Sequence, residues 1–399
     1  MNIIKKYNPN LIENIQFHGR WDLSPERGYT THWSGSSIYF QTTSRSVVIE
    51  IGPLTSARQN YHNILWKFGA DSFVRTALVK GARSMWIMPS DSRGGEALRD
   101  VRIALADWGA SLQILDIDVS EEDDRTISAP IIGSPTRPLL FIGGSLVCGY
   151  SPPYGGLVLP HGSYQAFPSI VARSLRARGI DARLEMVAVP GVRLMTTSRA
   201  PGMADLFFDG NDGVGGWEHR SREDPTDIFI CLGTNDQGWG ADTKEYVESY
   251  RSFLVRLRDS CSEMLRRIHV ISPFGRFINP QDRRERIAVF EPEVQTMVKN
   301  LALTWKTGSP DDVRLYHVST AGWINQNQTC DGVHPTSEGH ETIAAKLIDY
   351  LESVENAEVE EEAEAAEPKQ FEPTQAGFGY LYPEMGYPEV EPGFGYLPR

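Results

Sequence analysis

The chain has 399 residues, 40% of them hydrophobic and 23% charged, with a formal net charge of −13; this is an ordinary composition for a globular protein of two or three domains. It contains no run of eighteen apolar residues, so no membrane-spanning helix is expected. From Glu355 to Arg399 eleven glutamates face only Lys369 and Arg399, so this stretch carries −9 and the rest of the chain −4. A near-neutral body with an acidic tail excludes a nucleic-acid binder, which needs a basic face.

The first residues, from Met1 to Pro9, have no apolar core of signal-peptide length. Cys148, Cys231, Cys261 and Cys330 show no metal-ligand spacing, so they are expected to be free, buried thiols in a reducing, cytoplasmic setting. No metal or other cofactor is expected.

Residues 1–129 read as β-rich. Candidate strands are Ser37–Gln41, Val47–Ile51, Leu65–Phe68, Val74–Val79, Met85–Met88 and Ser111–Leu115. They are short, rich in β-branched and aromatic residues, and separated by Gly, Pro, Asn and Asp, which predicts a β-sandwich. The aromatic residues of Phe17–Asp22 and His32–Ser37 are expected in its core, with a sugar-facing surface as the alternative. The stretch Glu121–Arg137 is polar and broken by Pro130, Gly133 and Pro135, and a linker is placed at 130–137.

From Pro138 strands alternate with helices. Strands are predicted at Leu139–Ile142, Leu184–Val189, Asp227–Cys231, Ile268–Ile271 and Val313–His317. Helices are predicted at Ser163–Arg178, Thr243–Cys261, Asp282–Leu303 (kinked or broken near Pro292) and Ser337–Leu351. Such alternation gives an α/β domain, residues 138–354, with a parallel sheet and right-handed crossovers. Residues 355–399 are low in complexity and expected to be disordered. In them Gly377-Phe378-Gly379-Tyr380-Leu381 recurs as Gly393-Phe394-Gly395-Tyr396-Leu397, and these aromatic pairs are candidate docking points for a partner.

The chemistry-bearing residues cluster after predicted strands. Leu139–Ile142 is a continuous apolar run, as in a strand covered on both faces, and it ends in Gly143-Gly144-Ser145. A hydroxyl at the carboxyl end of a parallel strand stands where ligands bind in open α/β sheets. Pro190-Gly191 follows the second strand, Gly233-Thr234-Asn235-Asp236 the third, and Asp331-Gly332-Val333-His334-Pro335 precedes the last helix. Taken singly, each has an ordinary reading as a turn or surface residue. Together they offer a nucleophile, a base, a group to orient the base and donors for an oxyanion, which is what acyl transfer needs. In a tight loop, residues i and i+3 such as Asp331 and His334 can meet, which would fix one imidazole tautomer. The Gly-Gly-Ser turn lacks the Lys-Ser/Thr end of a P-loop, so phosphate binding there is rejected.

The order of these four blocks resembles the SGNH, or GDSL-type, hydrolases, over Pro138 to Leu351. The resemblance implies Ser145 as nucleophile, His334 as general base and Asp331 as its orienting carboxylate. It implies an oxyanion hole made by the backbone N–H groups of Ser145 and Gly191 and the side-chain amide of Asn235. It also implies a three-layer α/β/α fold around a five-stranded parallel sheet. The family usually has aspartate before the serine, where this chain has Gly144. The preceding sandwich, jelly-roll-like, with Gly19-Arg20-Trp21-Asp22 and Trp33-Ser34-Gly35-Ser36-Ser37-Ile38, is similar to that of the second family of carbohydrate esterases. The function implied is a serine esterase hydrolysing acetyl esters of carbohydrates, with a small-molecule or oligosaccharide ester as substrate. The rival is a catalytically silent carbohydrate-binding protein on the same scaffold. Trp217, Trp239 and Trp323 fall in predicted loops and are candidates for stacking on a sugar ring or for the core.

Overall fold

The computed structural model describes residues 4–7, 14–24, 28–56, 64–69, 71–77, 81–88, 98–120, 127–128, 136–150, 159–209, 224–261, 263–274, 277, 290–309 and 312–366. Met1–Tyr350 form one compact unit and Leu351–Arg399 a second. Among the described residues no helix is long and apolar enough to cross a membrane.

The amino-terminal part is two antiparallel sheets. One runs β3 (Asp22–Ser24), β4 (Gly28–Thr31), β11 (Leu112–Ser120), β6 (Val47–Ile51) and β9 (Ser84–Ile87), with β1 (Ile4–Tyr7) also on β11. The other runs β12 (Ile127–Ser128), β5 (Ser37–Thr42), β10 (Arg99–Leu105), β7 (Ile64–Phe68) and β8 (Val74–Thr76), with β2 (Gln16–His18) on β5. Their facing sides enclose one core that includes Ile38, Phe40, Ile49, Phe68, Ile103 and Ile117. Strand β11 buries Leu112 and Ile114 and then Ile117 and Val119, a change of parity. The register shift between Ile114 and Asp116 explains it, because one extra residue turns the following side chains to the other face.

The parallel sheet has the order β14 (Asp181–Ala188), β13 (Thr136–Gly143), β15 (Asp227–Cys231), β16 (Arg267–Ile271), β17 (Arg314–Val318). The chain enters at β13, adds β14 on one side and β15 to β17 on the other. The topological switch point therefore lies beside the end of β13, where ligands sit in such sheets. One face carries Leu140, Ile142, Ile228, Ile230, Ile268 and Val270 against α3 (Met203–Asp209), α5 (Thr243–Ser260) and α6 (Glu291–Trp305). On α5, Tyr246, Tyr250, Phe253 and Leu257 are buried, as their spacing predicts.

The opposite face carries a row of rings in register across four strands. Phe141 stacks on Phe229 at 4.4 Å, Phe229 on His269 at 4.5 Å and His269 on Tyr316 at 5.5 Å, each pair within 13° of parallel. Helix α2 (Phe167–Ala177) and residues 337–350 of α7 (Ser337–Ala366) cover this face, through Phe167 against Phe141 and Tyr350 against His269. At the amino end of β15, buried Asp227 accepts two hydrogen bonds from Arg137, at 2.8 and 2.9 Å, and one from the Thr226 hydroxyl at 2.8 Å. Burial opposes its charge, but the neighbouring His269 and the Arg137 guanidinium hold its carboxyl well below the usual range.

The sandwich and the parallel sheet share their packing. Trp33, from the sandwich part, lies in the core formed with α3, α5 and α6. Arg20 donates to Glu185 on β14 at 3.1 Å and lies over the rings of Trp33 and Phe207. Trp21 and Trp33 are both buried, so these aromatic residues are core, not surface.

Some expectations need correction. Within the polar stretch placed before Pro138, Ile127–Ser128 is a strand paired with β5, and Thr136 and Arg137, assigned to the linker, open β13; 129–135 lie outside the described residues. Of the helix expected at 282–303, residues 282–289 lie outside the described residues and α6 begins at Glu291, so Pro292 is not in its interior. It occupies the first turn of α6, where its missing N–H costs no hydrogen bond. Helix α7 runs to Ala366, past the expected start of the disordered tail at 355, because alanine and glutamate continue a helix readily. The aromatic repeats lie outside the described residues. All four cysteines are free, but Cys330 is exposed and only Cys148 and Cys231 are fully buried.

Candidate active site

Strand β13 delivers Ser145 to the switch point. A Cβ at Gly143 would collide with the Val147 side chain and come within 2.9 Å of the Cys231 carbonyl oxygen. Only glycine lets the chain turn there into α1 (Ser145–Cys148) between β13 and β15. Gly144 is different. A Cβ there would meet nothing closer than 3.5 Å, and its φ of −108° suits any residue. The aspartate usual in the resembling family is absent here without a steric reason.

Ser145 meets His334 across 189 residues of sequence, with Oγ 3.0 Å from Nε2. The other ring nitrogen, Nδ1, is 2.6 Å from Asp331 Oδ2. Asp331 Oδ1 accepts the backbone N–H groups of Val333 at 3.0 Å and His334 at 2.8 Å. The carboxylate thus closes its own loop and receives the imidazole at once. Partial burial raises its pKa, but those N–H donors and the His334 ring outweigh it and hold the carboxyl below its usual value. A carboxylate accepts from Nδ1–H, which leaves Nε2 as the acceptor for the Ser145 hydroxyl. The loop is further pinned by hydrogen bonds from Cys330 N–H to the His334 carbonyl at 2.8 Å and from Phe277 N–H to the Gly332 carbonyl at 2.9 Å.

Gly191 lies in the loop after β14, in a left-handed turn with φ of +79°, a conformation that favours glycine. Two neighbouring residues hold this loop. Asn235, in α4 (Thr234–Gly238), donates from Nδ2 to the Val192 carbonyl at 2.7 Å. An amide has two N–H donors, so one remains for an oxyanion. Asp236, fully buried, accepts the N–H groups of Leu194 at 3.0 Å and Met195 at 3.2 Å. Burial pushes its carboxyl pKa up against the pull of those donors.

Two contributors had no assigned part in the sequence reading. Asp236 was visible only as the last letter of Gly-Thr-Asn-Asp. Its grip on the 189–195 loop depends on contacts between distant segments. His340, six residues beyond His334 and near the start of α7, is buried under Phe167 and accepts the Phe167 N–H through Nδ1 at 3.2 Å. Burial, with the nearby His334, lowers its pKa to about 3, so it is neutral beside the candidate base.

The three tryptophans singled out above separate. Trp239 is 69% exposed, Trp323 is half-buried near Phe274, and Trp217 lies outside the described residues. Among the described residues no group of three His, Cys, Asp or Glu side chains could hold a metal ion.

A hydroxyl, an imidazole and a carboxylate in line, with N–H donors beside them, can activate an oxygen nucleophile and hold a developing oxyanion. The comparisons agree with that chemistry. Residues 141–342 match the family described as GDSL-like Lipase/Acylhydrolase family. No curated protein matches the sequence. Among solved structures, the fold is similar to a family two carbohydrate esterase from Cellvibrio japonicus, at 16% identity and a TM-score of 0.69 over 89% of this chain and 98% of that one. It is also similar to an acetyl xylan esterase from the rumen bacterium Butyrivibrio proteoclasticus, at 16% identity and a TM-score of 0.64 over 88% and 99%. A family two carbohydrate esterase from Clostridium thermocellum in complex with cellohexaose matches at 19% identity and a TM-score of 0.64 over 86% and 99%.

Proposed function

Because the chain belongs to the GDSL-like lipase/acylhydrolase family, we propose that it is a serine esterase that removes acetyl groups from carbohydrates through an acyl-serine intermediate. The observation that carries this reading is the line from Ser145 Oγ to His334 Nε2, 3.0 Å, and from His334 Nδ1 to Asp331 Oδ2, 2.6 Å. The likeness to carbohydrate esterases in both the sandwich and the α/β parts supports the acetyl-sugar substrate class.

In the first step Ser145 Oγ attacks the ester carbonyl carbon while His334 Nε2 takes its proton. Asp331 keeps the imidazole in the accepting tautomer and stabilises the imidazolium that forms. The N–H groups of Ser145 and Gly191 and the free amide hydrogen of Asn235 hold the oxyanion. Collapse of the tetrahedral species breaks the C–O bond to the sugar, and His334 returns its proton to the departing alkoxide. In the second step water loses a proton to His334 and attacks the acyl-serine. Acetate leaves, and Ser145 regains its proton.

Labelling with a fluorophosphonate probe, together with acetate release from acetylated sugars, tests this. Covalent labelling at Ser145 and acetate release are expected. An unlabelled Ser145 with no ester turned over would overturn the reading in favour of a silent carbohydrate-binding protein.

A further inference from the structure

Beside the oxyanion loop lies a cleft of about 560 Å³, bordered by Pro190, Gly191, Arg193, Arg199, Leu206 and Trp239. That volume is enough for a sugar residue or two. Among the described residues, the charged side chains lining it are both arginines, in a chain whose net charge is −13. Among the described side chains nearby, the carboxylates of Asp205 and Asp236 face other partners. Asp205 accepts the Thr196 hydroxyl, and Asp236 uses its oxygens on the Leu194 and Met195 N–H groups.

The two guanidiniums are placed differently. Arg193 is half-buried. It donates to the Thr197 hydroxyl at 2.6 Å and lies over the Trp239 ring at 5.2 Å, so it is already oriented. Arg199 is exposed, and among the described residues no hydrogen bond or ion pair engages its guanidinium. One cation is fixed in place and another is free to close on a ligand. Guanidinium forks match carboxylate and phosphate oxygens, and an exposed indole offers a face to a sugar ring.

We infer that this cleft binds the anionic group of an acidic sugar, so that the preferred substrates are acetyl esters of carbohydrates carrying a carboxylate or a phosphate. An acetyl group is small and uncharged, so the anion must belong to the alcohol part of the ester. This inference rests on the proposed esterase activity and adds to it the charge of the substrate.

The test compares kcat/KM for acetate release from an acetylated methyl glucuronoside, an acetylated glucose 6-phosphate and an acetylated methyl glucoside. It uses the full chain, Arg199→Gln and Arg193→Gln, with p-nitrophenyl acetate as the reference ester. At least one acidic sugar should exceed the neutral one by about tenfold or more, the scale of a charge-assisted contact. Arg199→Gln should bring that ratio towards one, and which acidic sugar is favoured distinguishes carboxylate from phosphate. Equal rates across the three sugars, with p-nitrophenyl acetate hydrolysed, would overturn the inference and leave the esterase standing. A preference unchanged in both variants would also overturn it, since the selectivity would then arise elsewhere. If no ester is hydrolysed, the esterase reading fails, and calorimetric titration with glucuronate, glucose 6-phosphate and glucose decides. Selective binding of an acidic sugar that Arg199→Gln removes supports the cleft, and no selectivity sinks it.

Discussion

Tyr150 holds its ring 4.9 Å from the imidazole of His334, at an interplanar angle of 59°. It also meets Trp108 of the sandwich part, 5.1 Å away. The candidate base therefore rests on an aromatic ring that is itself supported from the other half of the molecule. Such tilted contacts contribute about 0.5–1.5 kcal/mol each. Tyr150→Leu should lower kcat/KM by roughly twofold to tenfold, while Tyr150→Phe should keep most of it. Equal losses in the two variants, measured on p-nitrophenyl acetate, would assign the effect to the hydroxyl instead of the ring.

His334→Ala should remove nearly all ester hydrolysis, because among the described residues no other side chain is hydrogen-bonded to the Ser145 hydroxyl. Asp331→Ala should be milder, since it removes the carboxylate that fixes the accepting tautomer but leaves His334 Nε2 beside the Ser145 hydroxyl. Steady-state kinetics of the two variants decide, and equal losses would contradict an orienting role for Asp331.

Asn235 and Asp236 separate chemistry from support. Asn235→Ala should cost about 2.7–4 kcal/mol in transition-state stabilisation if its free N–H meets the oxyanion. Asp236→Ala leaves the Leu194 and Met195 N–H groups without their acceptor, so it should lower thermal stability as well as kcat. A kcat loss for Asn235→Ala of less than tenfold would show that its bond to Val192 is its whole role.

Acid should destabilise the fold through His340. In the unfolded chain its imidazole takes a proton near pH 6.5, whereas in the fold burial delays this to about 3. Between those values the unfolded state binds more protons, so stability falls as pH falls, by up to about 1.4 kcal/mol per pH unit. Melting curves from pH 7.5 to 4.5 should show a shallower decline for His340→Gln, and an unchanged slope would rule out this residue as the source.

Asp227→Asn should destabilise by about 3–5 kcal/mol, because it removes the fully buried carboxylate that pairs with the Arg137 and Arg267 guanidiniums. Its carboxyl is depressed in the fold, so the wild-type contribution is present above the ordinary carboxylate pKa and is lost as pH falls below it. The difference in Tm between variant and wild type should therefore shrink on acidification below pH 4. A constant difference across that range would contradict the ionised pairing.

Much of this was legible in the sequence. Five apolar runs alternating with helical periods announced the parallel sheet, and the loops after them named Ser145, Asp331 and His334, which meet in the fold. What was not legible lies in contacts between distant segments. The position of Ile127 in a strand depends on β5, nearly ninety residues earlier. The grip of Asp236 on the 189–195 loop and the ring behind His334 are tertiary in origin, and no local pattern encodes them. The helix beyond Leu351 was missed because its glutamates read as low complexity, although alanine and glutamate are also strong helix formers.

Trp33 gives the molecule a dependence that its two-part outline conceals. Its indole belongs to the sandwich by sequence and to the α/β core by packing. A recombinant α/β fragment starting at Thr136 would begin life with a vacancy in the core that Trp33 fills and with Glu185 deprived of Arg20. Exchange of either half between proteins would succeed only if tryptophan, arginine and glutamate travelled as a set.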